Sequence, residues 1–437
     1  TMITIAGIFN PRTLPLMAKY GFSSVFFYCA AAILFFIPSA LTAAELAAGW
    51  PKKGGIYAWV SEAFGSDVGF VTVWLEWINT VVAFPTTLAL IAATIAYVFA
   101  PALAHNKIYM VCTMLSLFWG ITLINFLGIE ISSWVSSLGL IFGTLLPTIL
   151  IITLGAAWWV SGHPLQMTLS WHQFVPTFHL HSAVLLLGVI LGLAGIQVAA
   201  FHIHETKHPK RDFPKAILIS TLIILLVSIL GSLAIAMVIP ANHISLVTGI
   251  LQTAQLFFGH YHLNWLVSIM AFLMVLGAGA MLNTWLIAPA KGLQASVKDE
   301  HLPKLLRYCN EKGVPVAVLL LQAIISTILS LIFLYMPSIS SSYWLLTALS
   351  AMITCMMYLP VFASVIRLRY TQPDTLRTYK IPGGKKVVWL VAGTGFIVCL
   401  LSIFLGFFAP TQLDTGNAHF YHAFILGGIL IFCVPPF

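Results

Sequence analysis

Charge is what this 437-residue chain has least of: only 7% of its residues are Asp, Glu, Lys or Arg. A soluble domain carries about 25%, so an ordinary soluble fold, a solvated disordered chain and a nucleic-acid binder are all excluded. The six cysteines (Cys29, Cys112, Cys309, Cys355, Cys399 and Cys433) contain no CxxC pair. Redox and zinc-ribbon motifs are therefore absent. Most lie in apolar runs and read as buried free thiols. Strand-like alternation is missing too. Apolar runs such as LLLGVILGLAGIQVAAF are continuous, which excludes an outer-membrane barrel, whose signal alternates residue by residue. What is present is hydrophobicity: 60% of residues are apolar and the mean hydropathy is +1.00. At about 20 apolar residues per crossing, the chain has room for on the order of a dozen membrane helices.

Apolar runs between breaks predict an all-α membrane protein of twelve transmembrane helices. The segments are 1–17, 21–48, 68–100, 107–127, 132–160, 182–205, 213–239, 258–291, 314–336, 342–369, 386–409 and 418–437. No signal peptide is visible. Thr1 opens within one apolar segment and Phe437 closes within another, the pattern of a chain trimmed at both ends.

The basic residues sort to one side. Apart from Arg12, Lys19 and Lys107, every Lys and Arg falls in four loops. The first carries Lys52 and Lys53, the second Lys207, Lys210, Arg211 and Lys215. The third runs from Lys291 to Lys312 and the fourth from Arg367 to Lys386. The net charge of +8 therefore marks cytoplasmic loops rather than a polyanion partner, and both termini are expected in the cytoplasm. Histidines such as His105, His163, His243, His260 and His262 gather in the outward loops. They read as neutral interfacial residues or as a face that charges on acidification.

Two segments cannot be regular helices. The first, TMITIAGIFNPRTLPLMAKYG, holds Gly7, Asn10, Pro11 and Pro15, with Arg12 inside the interruption. The sixth, LGVILGLAGIQVAAFHIHE, holds Gly188, Gly192 and Gly195 followed by Gln197. Interrupted segments at matching places in two halves point to a transporter's midplane site. Unwound backbone offers N–H groups to a carboxylate and C=O groups to an ammonium, and an amino acid needs both.

Charged residues at depth are few, and they mark functional or paired positions. Glu45, near the GWPKKGG turn, reads as structural, bonded to backbone or to loop cations. Glu76, in WLEWINT, either faces a cavity as a proton carrier or pairs with Arg12. Arg12 has three open roles: contact with a substrate carboxylate, pairing with Glu76, or lining the outer mouth. No Lys or Arg occurs between Lys107 and Lys207, so segment five has no proton-switched lysine. No cluster of carboxylates or hydroxyls suggests a sodium cage. Both absences favour exchange over ion-driven uptake.

One motif points to a different class of function. His204-Glu205-Thr206-Lys207-His208 fits HExxH, the zinc-metalloprotease helix. Pro209 follows at once, two lysines crowd the motif, and His202 is turned off that face. No metal, cofactor or enzymatic activity is expected.

Several stretches carry a family resemblance. AAELAAGWPKKGGIYAWVSEAFG and GIQVAAFHIHETKHPKRDFPKAI resemble two motifs of the amino acid–polyamine–organocation superfamily. AIAMVIPANHISLVTGILQT, NEKGVPVAVLLLQAI and RTYKIPGGKK resemble its bacterial glutamate/GABA antiporter branch. The resemblance implies a five-plus-five inverted repeat, the leucine-transporter-type fold, in a single transporter domain. Residues 1–160 form the first repeat, 182–369 the second, and 386–437 two additional helices. It implies amino-acid exchange by alternating access in a bacterial inner membrane. Proton-coupled uptake of amino acids or polyamines is the alternative carrier reading. The partners are then a small amino acid and the lipid bilayer, with the oligomer open. Substrate backbone groups would meet Ile8, Phe9 and Asn10 at one break and Gly195, Ile196 and Gln197 at the other. Trp285 matches a family pocket aromatic, and Tyr358 is a further match. Arg12, Glu76, Gln197 and Trp285 would tune selectivity. Two positions depart from the branch: Arg12 stands where an aromatic is expected, and Met281 where the branch carries a pocket carboxylate.

Overall fold

The computed structural model describes residues 9, 11–51, 55–127, 138–139, 141–176, 183–184, 186–195, 209–296, 302–410 and 413–435. Among these, every regular element is a helix. A 3-10 turn, Pro11–Thr13, leads into α1, Leu14–Ala18. There follow α2 (Ser23–Gly49), α3 (Ile56–Phe64), α4 (Ser66–Phe99), α5 (Lys107–Phe126) and α6 (Ile141–Val160). Next come α7 (Leu186–Leu193), α8 (Pro209–Val238), α9 (Gly249–His260) and α10 (Trp265–Ser296). The chain continues with α11 (Val316–Tyr335), α12 (Ile339–Thr371), α13 (Gly384–Leu405) and α14 (Ala418–Cys433). Nine helices among the described residues are long and apolar enough to cross a membrane.

Two long helices form the centre. α4 and α12 pack against each other, and α4 also packs on α10. Both central helices are mostly buried, whereas α13 turns Leu390, Ile397, Leu401 and Phe404 outward. Large exposed apolar side chains also line α2, α5 and α8. Such an exterior suits lipid rather than water as the surrounding solvent.

Small residues set the closest crossings, as expected where lipid removes the hydrophobic drive between helices. A Cβ on Gly143 of α6 would lie 2.5 Å from Gly277 Cα and 2.6 Å from Leu273 O on α10. The glycines of segment six have two separate uses. A Cβ on Gly192 would stand 2.8 Å from Thr13 Cγ2, and one on Gly188 would strike the Leu16 side chain. Those two let α7 lie directly on the turn and helix of segment one. Gly195 has φ of +113°, a conformation costly for any residue with a Cβ.

Three expectations need correcting. Segment eight does not begin at 258, because residues 258–260 close α9 and α10 begins at Trp265. The turn between them is capped by Leu263 N–H donating to Phe258 O at 2.7 Å, with His262 left-handed at φ 58°. Histidine is among the side chains that tolerate that region. The amphipathic α3 was also not anticipated; it lies between Gly55 and Gly65, both at positive φ. Third, the cysteines are free thiols, but Cys29, Cys112 and Cys309 are exposed. An apolar helix in a membrane has a lipid face, so lying in an apolar run does not imply burial in protein.

Glu45 is structural, as its place near the loop cations suggested. Its side chain is fully buried. It accepts from Arg369 Nε and Nη2, from Arg377 Nη1 at 2.8 Å and from the Ile381 N–H at 2.9 Å. Arg377 also donates to Leu368 O and Gln372 O and lies over the Trp50 ring. Gln372 accepts from Trp50 Nε1 and donates to Glu62. The loop between α12 and α13 is thereby clamped to the end of α2 and to α3.

Candidate functional site

α4 carries polar residues in an otherwise apolar sequence. Glu76, Asn79, Thr80 and Thr87 recur at helical spacing, with Ala83 between them, so they share one face. That face lines a cavity of about 120 Å³. Its other walls are Arg12 from segment one, Leu191, Gly192, Ala194 and Gly195 at the end of α7, Met281 and Trp285 of α10, and Ser350, Thr354 and Met357 of α12. The two interrupted segments thus meet at one hollow beside the central helices.

The positions expected to form a site separate into three groups. Arg12, Glu76, Gly195 and Trp285 line the cavity together. Phe9 and Tyr358 are buried and are not among its lining residues. Ile8, Asn10, Ile196 and Gln197 lie outside the described residues. The Tyr358 hydroxyl accepts the Gly195 N–H at 3.1 Å, and the ring packs edge-on against Phe35. Tyr358 therefore holds the end of α7 where its backbone turns away from helical geometry.

Arg12 is partly buried, and its Nη1 donates to the hydroxyls of Thr87 at 2.9 Å and Thr86 at 3.3 Å. Its carbonyl accepts from the Tyr343 hydroxyl at 3.4 Å. Thr87 lies eleven residues beyond Glu76, about 16 Å along α4 at 1.5 Å per residue. The guanidinium therefore sits at the Thr87 end of this wall, and Glu76 springs from the other end. That geometry does not favour the direct Arg12–Glu76 pairing considered from the sequence.

Asn79, Thr87, Ser350 and Thr354 were not anticipated as cavity residues. Ser350 donates to Asn79 Oδ1, linking α12 to α4 across the wall. The signal for the α4 members was present in the sequence: polar side chains at helical spacing within an apolar segment. A comparable signal marks α12, where Tyr343, Thr347, Ser350 and Thr354 recur at helical spacing in an apolar segment. Met281, the departure from the antiporter branch, does line the cavity.

The HETKH stretch lies outside the described residues. Among the described residues, no group of three or more His, Cys, Asp or Glu side chains is placed to hold a metal ion.

This arrangement of interrupted segments around a cavity is one that transporters share, and the comparisons agree. The amino acid permease family matches residues 1–431. The chain belongs to that family. An uncharacterized transporter of Legionella pneumophila is 44% identical over 436 residues, covering 100% of this chain and 94% of the relative. A glutamate/gamma-aminobutyrate antiporter of Lactococcus lactis is 29% identical over 442 residues, covering 100% of this chain and 88% of the relative. A probable agmatine/putrescine antiporter of the same species is 24% identical over 430 residues, covering 96% and 88%. This amino acid permease is thus a multi-pass membrane protein of a transporter family.

Proposed function

We propose that this permease exchanges amino acids across a bacterial inner membrane by alternating access, with the cavity between α4, α7, α10, α12 and segment one as its substrate site. The observation that carries this reading is the convergence of the two interrupted segments on one hollow. Irregular backbone at membrane depth is tolerated where it lines a cavity, and there its polar groups are available to a zwitterion. In this reading the α-carboxylate and α-ammonium meet backbone groups at Ile8 to Asn10 and Gly195 to Gln197. Arg12, Glu76 and Trp285 then discriminate among side chains. Twelve transmembrane helices, arranged as two inverted five-helix repeats plus two further helices, give the rocking parts. The basic loops support a topology with both termini in the cytoplasm. The name of the Lactococcus antiporter at full-length similarity favours exchange over uptake.

The test is transport by purified protein in lipid vesicles. Exchange predicts that labelled amino acid enters only vesicles preloaded with amino acid, whatever pH gradient is imposed. Accumulation in empty vesicles driven by an inward proton gradient would overturn the proposal in favour of proton-coupled uptake.

A further inference from the structure

Behind the cavity, one amide joins two of its walls. Gln322 belongs to α11, and α11 supplies none of the lining residues. Gln322 is 1% exposed. Its Oε1 accepts from Trp77 Nε1 of α4 at 3.2 Å, and its Nε2 donates to Leu286 O of α10 at 3.1 Å. An indole N–H can only donate and a carbonyl can only accept, so one orientation of the amide satisfies both. Each partner is next in the chain to a lining residue. Trp77 follows Glu76, and Leu286 follows Trp285.

The bond to Leu286 falls where α10 holds itself least well. Pro289 lies inside that helix and has no N–H for the carbonyl of Trp285, four residues earlier. The helix thus lacks one of its own bonds at the turn that carries the indole, and Gln322 takes the next carbonyl along. Three residues before it, Asn283 Oδ1 accepts from Asn125 Nδ2 of α5 at 2.7 Å. Residues three apart share a side of a helix. Asn283 and Leu286 are therefore gripped from outside the cavity, while Met281, Leu282 and Trp285 line it. Where lipid removes the hydrophobic drive between helices, polar bonds of this kind help to fix their packing.

We infer that Gln322 is a positioning residue of the substrate cavity. It touches no substrate. It sets the spacing of the α4 and α10 walls and the rotation of α10 that turns Trp285 inward. The inference rests on the exchange reading above and extends it to a helix outside the site. Ser326 provides the comparison. It lies one turn further along α11, is fully buried, and donates to Val81 O of α4 at 3.1 Å. That bond reaches one wall, whereas the amide of Gln322 reaches two.

The experiment is counter-transport in preloaded vesicles. The probe is the radiolabelled L-amino acid that the parent exchanges fastest in a screen of the protein amino acids. KM and maximal rate per folded protein are measured for the parent, Gln322→Met, Trp77→Phe, the double variant and Ser326→Ala. Methionine matches glutamine in length and makes neither bond. Gln322→Met should raise KM at least about fivefold and keep the maximal rate within about twofold, the pattern of lost binding rather than lost turnover. Trp77→Phe should raise KM less, because Leu286 O keeps its partner. The double variant should match Gln322→Met instead of multiplying the two effects, since both changes break one bridge. Ser326→Ala should keep the parental KM. A merely structural Gln322 would lower yield and maximal rate with KM unchanged. That result, or an equal rise of KM in Ser326→Ala, overturns the inference and leaves the exchange reading standing. If Gln322→Met does not fold, an unchanged KM in Trp77→Phe overturns it. Failure of the parent to exchange any amino acid overturns the exchange reading and this inference with it.

Discussion

Glu45 and Arg12 are both charges set inside an apolar body, one from a continuous helix and the other from an interrupted segment. Their surroundings differ. Glu45 is fully buried and bound by two guanidiniums and a backbone N–H. Arg12 borders two cavities and donates to threonine hydroxyls. The first arrangement uses a charge to fix the fold: it ties the loop after α12 to the end of α2, across more than 300 residues of chain. The second keeps a charge beside a hollow, where a ligand can reach it. Charge at depth is therefore not by itself a sign of function; the nature of the partner and the presence of open space decide.

The largest effect that would sharpen this contrast is expected at the clamp. Glu45→Gln leaves Arg369 and Arg377 facing a neutral amide in a buried site. Breaking a buried pair by removing one partner costs about 3–5 kcal/mol. The variant should give little monodisperse protein after extraction, read by size-exclusion chromatography. Recovery at the parental level would show that the clamp is not structural.

At the cavity the effects should fall on transport instead. Gly195→Leu is expected to abolish exchange while expression and membrane insertion persist, because the side chain would fill the end of α7 where the cavity opens. The measurement is counter-transport alongside membrane fractionation; near-normal exchange would remove Gly195 from the site. Trp285→Ala should act less severely, lowering substrate affinity or letting substrate leak without counter-substrate. Efflux from preloaded vesicles into amino-acid-free buffer reads the leak. Unchanged affinity and unchanged coupling would mean that the indole only shapes the wall.

The smallest effect concerns Lys19, just past α1, whose ammonium donates to Ala241 O at 3.0 Å. Burial lowers its pKa from 10.5 to about 8. The folded protein thus loses this proton before the unfolded chain does. The stability linked to it rises as pH climbs from about 8 toward 10.5. Across that window the Tm of the parent, relative to Lys19→Met, should rise by about 2 °C. A flat or falling difference would show that the ammonium stays charged.

These outcomes bear on what the sequence could disclose. Apart from the start of α10, apolar runs located the long helices to within a few residues where they are described, because a membrane requires each span to be long, apolar and internally hydrogen-bonded. The interruptions at Pro11 and Gly195 were legible for the same reason, since few residues break such a run. Glu45 was recognisable as structural, yet its partners Arg369 and Arg377 were not, because that contact is set by tertiary packing. The division of labour among Gly188, Gly192 and Gly195 was likewise hidden: close approach and positive φ leave the same residue in the sequence. α9 was missed because its amphipathic stretch runs into the apolar start of α10, and only the left-handed turn at His262 divides them. The lining contributed by α12 was legible too, since Thr347, Ser350 and Thr354 follow a helical stripe, although it was not read.

The contrast between the two buried charges is tested most directly by measuring, in one experiment, the Tm of Arg12→Gln and of Glu45→Gln with and without the amino acid that the parent exchanges. The account predicts that Arg12→Gln keeps a ligand-free Tm near that of the parent and gains less on adding that amino acid than the parent does. Glu45→Gln should be strongly destabilised, and any folded fraction should still gain Tm on adding it. The opposite pattern, with Arg12→Gln as destabilised as Glu45→Gln and stabilised by the amino acid as much as the parent, would contradict it.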